Sequence, residues 1–411
     1  MHRTPITAPL AGLLLAVGGA LLTMPTTHAA EWVERGKLVV ADGQPDDRFG
    51  LSVSLSGTTA LVGSASSAYL FEYTASGWVE RTRLAPVGLG TLRSAMALEG
   101  DVALLGAPLN ADCGTDAGAV YVYERDGTTW SHFATLHASD AEDNDQFGRS
   151  VAISGDTVVV GTSAHTAGSS TAYVFERDES GWTQTAMLTI PSDWGWDQEV
   201  AVSGNTIAVS APWDGYEQGH VWVLEEDNGT WQQVAMFSGS DFLWEKLGKA
   251  LDIDGTRLVA GTYHGDPGWE AGCAYFYERH AEGWRRVSRV TDPEAADQAM
   301  FGTAAALCGG TTLIGARYDD VLGELSGSAY LIVDNGVGWE IAQKLNASDG
   351  GPDAWFGCDV ALENNMALIG ALGEEGYTGA VYVFRPIPEP SSLLLLALTL
   401  PILWRRARKT H

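Results

Sequence analysis

Residues 31–38 read "EWVERGKL", and residues 77–84 repeat them almost unchanged as "GWVERTRL". The second copy sits inside a longer pattern that the first copy lacks. An aromatic-rich strand stands nine residues ahead of its tryptophan, Tyr69 to Trp78. The same offset returns at Tyr121–Trp130, Tyr173–Trp182, Trp222–Trp231, Tyr275–Trp284 and Tyr330–Trp339. A constant offset across stretches such as "YVYERDGTTW" marks a hairpin whose loop never changes length. A seventh such strand, around Tyr382 in "GAVYVF", has no tryptophan strand behind it, and Trp32 has no tyrosine strand ahead of it. Both orphans are resolved if residues 31–38 pair with the strand at Tyr382, so that the two ends of the chain build one unit and close a ring.

Each of the seven tryptophans is followed six residues later by an apolar side chain: Leu38, Leu84, Leu136, Leu188, Phe237, Val290 and Leu345. On simple alternation an even spacing places both on one face of a strand. A second constant pair, 14 residues apart, marks the start of one strand and the end of its partner: Phe49 and Gly63, Leu92 and Gly106, Phe147 and Gly161, Trp196 and Ser210, Leu247 and Gly261, Phe301 and Gly315, Phe356 and Gly370. The turns between them, "GD", "GT", "GN" or "NN", suit positive φ. Each unit is therefore four short antiparallel strands, and seven units of about 50 residues make an all-β, seven-bladed β-propeller over residues 31–385. An open solenoid would need polar capping repeats, which are absent, and closure removes the exposed sheet edges.

Segments such as "QFGRSVAISGDTVVVGT", "RFGLSVSLSGTTALVGS" and "LEGDVALLGAP" resemble the FG-GAP repeat, the blade unit also seen in the integrin α-chain head. Phe-Gly is intact at Phe49, Phe147, Phe301 and Phe356; Leu92-Arg93, Trp196-Asp197 and Leu247-Gly248 replace it in the other three units. In integrin-type blades the resemblance implies calcium in a long acidic loop between the two strands. Here a tight turn replaces that loop in every unit, so no integrin-type calcium residue carries over.

The two ends are processing segments. Residues 1–30 combine Arg3, the apolar run "LAGLLLAVGGALL" and the small-residue site "THAA", the pattern of a secretory signal. At residues 386–411, Pro388, Glu389 and Pro390 precede the apolar "SSLLLLALTLPILW" and the basic "RRARK". This tail resembles the PEP-CTERM sorting signal of exopolysaccharide-producing bacteria. The resemblance implies an exosortase-type processing protease as a partner, removal of the tail, and delivery to the cell surface or extracellular matrix. A plain C-terminal membrane anchor is the other reading; either way the membrane is met only through this segment.

With 52 acidic against 24 basic residues and a net charge of −28, the surface repels nucleic acid and anionic membranes and attracts cations. Four scattered cysteines make no disulfide framework. No nucleophile elbow, HExxH or phosphate-binding glycine loop is present. The sequence thus points to an exported surface or matrix binding and adhesion module, engaging a glycan such as exopolysaccharide or another surface protein. The alternative is a polysaccharide-acting propeller enzyme, a hydrolase or lyase, whose site would be assembled from loops.

All length variation falls in the second-to-third and inter-blade connections, which emerge at one end of each blade and crowd one face of the disc. Insertions of this kind commonly mark the binding face. Aromatic residues concentrate there in units three to five: Trp194, Trp213, Tyr216, Phe242, Trp244, Tyr263 and Trp269, rings suited to stacking on sugars beside carboxylates. His165, His220 and His264 share those loops. The same face is rich in acids and has few basic residues. Asp140, Asp143 and Asp145 in "ASDAEDNDQFG" are candidate calcium ligands, although the full D-x-D-x-D-G order is absent; the other reading is a solvated rim whose acids cap loop turns.

Overall fold

The computed structural model describes residues 30–388, apart from 87–94, 164–167, 193–196, 240–243, 265–270 and 295–297. The expected secretory segment up to residue 29, and the sorting tail from Glu389 onward, lie outside the described residues. Seven four-stranded antiparallel sheets form the seven blades of a propeller, with almost no helix. Blade 1 is typical. Val53–Ser56 is its innermost strand, followed outward by Thr59–Gly63, Ala68–Thr74 and Gly77–Leu84. Positive φ at the first turn residue of every inner hairpin, from Gly57 to Asn364, fits the turn chemistry expected from the sequence.

Blade 7 takes three strands from the C-terminal end, Phe356–Glu363, Met366–Ala371 and Ala380–Pro386, and its outer strand from Trp32–Leu38. The register runs antiparallel from Trp32 opposite Pro386 to Leu38 opposite Val381. The first described strand therefore completes the last blade.

One expectation is corrected. The signature tryptophan and the apolar residue six positions on do not share a face. Every outer hairpin carries a bulge three residues after the tryptophan, leaving Arg35, Arg81, Phe133, Thr185, Val234, Val287 or Ala342 without a cross-strand partner. An inserted residue reverses the alternation beyond it. Trp32 consequently packs between blades 6 and 7, with Leu331 and Phe356, while Leu38 packs between blades 7 and 1, with Phe49 and Val53. The same exchange repeats around the ring: Trp130 joins Leu70 and Leu84, whereas Leu136 joins Phe147 and Val160. Each outer strand thus contributes to two of the seven apolar wedges that make up the core.

The Phe-Gly pair also sits differently from the expectation that it opens a strand. Phe49, Phe147 and Phe301 lie ahead of the innermost strand, and each makes an isolated parallel bridge to a glycine of the preceding blade, Gly379, Gly118 and Gly272 respectively. Only in blade 7 does the strand itself begin at the phenylalanine, Phe356, which bridges Gly327. Gly118 shows why its residue type is needed: its φ is +90°, and a Cβ there would lie 2.1 Å from the Phe147 carbonyl oxygen. The fully buried Phe147 ring meets Tyr173 edge-on at 5.4 Å between centroids.

A circle of hydrogen bonds links the inner turns. The first turn N–H of each blade donates to the side chain that ends the innermost strand of the blade before it. The pairs are Gly100 to Ser56, Gly155 to Glu99, Gly204 to Ser154, Gly255 to Ser203, Gly309 to Asp254, Asn364 to the Cys308 sulfur, and Gly57 to Glu363. The last pair carries the circle across the joint between the chain's two ends. All four cysteines are free.

Candidate functional site

The acids of the variable-loop face are mostly tied down. In blades 3, 6 and 7 the third-strand tyrosine, whose ring braces the Phe-Gly phenylalanine, donates its hydroxyl to an aspartate in the connection that leads into its blade: Tyr173 to Asp140 at 2.8 Å, Tyr330 to Asp292 at 2.6 Å, and Tyr382 to Asp349 at 2.7 Å. Burial, and then these carboxylates, push the three phenols up, so they stay protonated and keep donating. The Tyr382 hydroxyl in turn holds the Asp349 carboxyl below its usual range. Lys344 bridges Asp319 and Asp292, and Lys37 bridges Asp349 and Glu374.

Of the candidate calcium ligands, Asp140 accepts from Tyr173, Asp143 accepts from the Thr115 N–H at 2.8 Å, and Asp145 accepts from the Glu142 N–H at 2.7 Å. The Asp145 contact caps its own turn, whereas Asp143 reaches across to the second-to-third-strand connection of blade 2. Burial raises the Asp145 carboxyl. Among the described residues no three His, Cys, Asp or Glu side chains are gathered as a metal ion would need.

The aromatic candidates divide. Trp194 and Trp269 lie outside the described residues, as does the Tyr216 side chain; its backbone belongs to the short helical turn Asp214–Glu217. Trp213 and Tyr263 come together around two lysines. The Lys246 ammonium stands 3.7 Å from the Trp213 ring centre and 5.5 Å from that of Tyr263, and Lys249 stands 5.3 Å from Tyr263. Asp197 ties the group together, accepting from Trp213 Nε1 at 3.4 Å and pairing with Lys249 at 3.4 Å and Arg149 at 2.8 Å. One face of Trp213 is thus occupied by a cation. Trp244 is about half exposed, at 48 %, with φ 71°, on a segment anchored by Glu245, which is fully buried and accepts from the Tyr275 hydroxyl. Beside this cluster His220 Nδ1 lies 2.9 Å from Asp214. His165 lies outside the described residues, and nothing draws His264 and His220 into a common metal site among the residues described.

Seven blades, a bracing aromatic under each intact Phe-Gly, and glycines in contact between blades are now in place. Four stretches match the FG-GAP repeat. They are residues 32–71, 130–175, 284–332 and 339–384, and each contains one of the four intact Phe-Gly pairs. Each begins at a signature tryptophan and ends in the third strand of the next blade, so the FG-GAP unit is offset by one strand from the blade. No curated protein sequence matches the chain. Among solved structures, the chain is similar to Sqt1 of Saccharomyces cerevisiae, with 10% identity, a TM-score of 0.51, and 83% of this chain and 84% of that chain covered. It is also similar to a chain in the crystal structure of a mitotic checkpoint complex, with 12% identity, a TM-score of 0.56, and 94% and 98% covered. At such identities the likeness shows the fold alone.

Proposed function

We propose that this FG-GAP propeller is a binding module of the cell surface or extracellular matrix, exported and sorted by its terminal segments, with an exosortase-type protease as processing partner. Its ligand is a glycan held on the variable-loop face of blades 3 to 5. The observation that carries the reading is the Trp213–Lys246–Tyr263 cluster, with the half-exposed Trp244 near it in sequence. Flat rings beside ammonium and carboxylate groups offer stacking and hydrogen bonds to a sugar at once. A glycan array comparing wild type with Trp213→Ala and Trp244→Ala tests it, with thermal melts to confirm folding. Losing a central aromatic anchor commonly costs about 2 kcal/mol, roughly thirtyfold in affinity. Folded variants that keep every wild-type hit would sink the proposal.

A cleaving reading draws on one observation, the Asp214–His220 pair beside Trp213, which has the form of an oriented general base. New reducing ends or unsaturated products released from an exopolysaccharide by the purified protein would choose it over simple binding.

A further inference from the structure

At the centre of the variable-loop face, where the innermost strands begin, the axis of the propeller opens into a cavity of about 290 Å³. Its lining reverses the charge of the molecule. In a chain with 52 acidic and 24 basic residues, this cavity gathers Arg48, Arg149, Lys249 and Arg317, with Glu199 and Asp359 as the acids. Asp197 answers both Arg149 and Lys249, and the Asp359 carboxylate is engaged by the Val53 N–H at 2.7 Å. Arg48 and Arg317 have no carboxylate partner among the described residues.

Three polar atoms of lining residues are buried without any hydrogen-bond partner: Arg317 Nε, Trp355 Nε1 and Thr303 Oγ1. Arginine and tryptophan nitrogens only donate, and a buried donor left unsatisfied is costly. Residues from three separate connections, carrying these unsatisfied donors, line one cavity that has excess positive charge, and together they call for an acceptor rich in lone pairs. A carboxylate supplies that, and the guanidinium fork matches its geometry. The strongly acidic surroundings disfavour a polyanion, so the fitting ligand carries a single negative charge. The cavity has room for one sugar ring, and Tyr318 and Trp355, edge-on at 5.1 Å, form an aromatic wall beside the cations.

We propose that the axial mouth is a binding site for a single hexuronate residue, its carboxylate held by Arg317 and Arg48 with Trp355 Nε1 and Thr303 Oγ1 as further donors. This site is separate from the Trp213–Trp244 region and does not rest on it. Either can fail without the other.

Calorimetric titration of the full chain with glucuronate and galacturonate, and in parallel with glucose, acetate and inorganic sulfate, tests the proposal. A hexuronate binds, glucose does not, and acetate and sulfate bind roughly tenfold more weakly or not at all. Arg317→Lys, which keeps the charge but loses Nε, weakens hexuronate binding about tenfold. Trp355→Phe, which keeps a ring but loses the indole N–H, weakens it severalfold. Arg81→Gln, on the outer strand of blade 1, leaves it unchanged, and thermal melts establish that each variant is folded. Absence of hexuronate binding, equal binding of glucose, acetate or sulfate, or folded Arg317 and Trp355 variants that bind like wild type would each overturn it.

Discussion

The side-chain amide of Gln343 in blade 6 pairs with both backbone polar groups of Trp32: its oxygen accepts from the Trp32 N–H at 2.8 Å, and its nitrogen donates to the Trp32 carbonyl at 2.7 Å. The contact spans 311 positions of sequence. It fixes the start of the closing strand against the neighbouring blade, and Ser348 does the same further along by donating twice to Glu34.

Gln343→Ala should lower stability by about 1 to 3 kcal/mol, because both Trp32 groups lose a partner at a half-buried site. Deleting residues 31–38 removes a whole strand and the Trp32 ring, and should cost well over the roughly 3 to 5 kcal/mol of a single aromatic truncation. Urea unfolding monitored by circular dichroism measures both. A deletion variant as stable as wild type would refute closure of the ring.

The bulge predicts that losing one residue is tolerated where losing two is not. Phe133 is 47 % exposed and lies 5.5 Å from the Arg177 guanidinium. Phe133→Ala should cost under about 1 kcal/mol. Deleting Phe133 removes the bulge but keeps the remaining cross-strand pairs, so Trp130 and Leu136 stay on opposite faces and the loss should be nearly as small. Deleting Phe133 and Ala134 together turns Trp130 and Leu136 onto one face, which should cost several kcal/mol. Equal melting temperatures for the two deletions would contradict the parity argument.

Asp252 and Asp359 stand along the inner strands, and burial raises their carboxyls to about 7 and about 6 respectively. Each accepts a backbone N–H from the next blade, Leu307 and Val53. The folded state therefore holds protons that the unfolded chain has already released. For Asp252 this contribution is fully present below the unfolded value of 3.8 and is lost as pH rises through about 7. The slope is about 1.4 kcal/mol per pH unit between those limits. Asp349 works in the opposite sense, so the informative quantity is the difference between wild type and Asp252→Asn. Wild type should hold its largest advantage near pH 4 and lose it toward pH 8; a pH-independent difference would show that Asp252 titrates normally.

Asp145 caps its own turn and Asp143 accepts from the Thr115 N–H of the neighbouring connection, so Asp143→Ala should cost about 1 kcal/mol. Millimolar calcium should leave the melting temperature of wild type in place. A rise of several degrees with calcium, abolished in Asp143→Ala, would make these residues metal ligands after all.

Strand pairing and ring closure were legible because they depend on spacing, and the phase of Trp32 against Tyr382 carried the decisive information. The side on which Leu38 packs was not legible from alternation. It depends on the bulge at Arg35, and nothing in the identities Arg35, Phe133 or Ala342 announces a missing cross-strand partner. The acids were visible, but their occupation by Tyr173, Tyr330 and Tyr382 required the third dimension. The axial cations were in plain view in "RFG", "FGR", "LGK" and "GAR", one per unit. Taken singly they read as scattered charges on an acidic face, since only closure brings Arg48 and Arg317 to the same opening.

The antiparallel pairing of residues 32–38 with 381–386 brings both ends of the propeller out side by side, with the Ile387 N–H donating to the Glu31 carbonyl at 2.7 Å. Gly57, Asn364 and Pro388 line one depression there, so this exit lies on the side of the invariant tight turns. A tether attached after Pro386 would grip the disc from behind, holding its variable loops and axial opening toward whatever approaches from outside. The same geometry sets how the ring answers a pull on its two ends. The load would fall on the Trp32–Pro386 end of the joint first and peel the hydrogen bonds apart in sequence toward Leu38, making this seam the place where the disc yields.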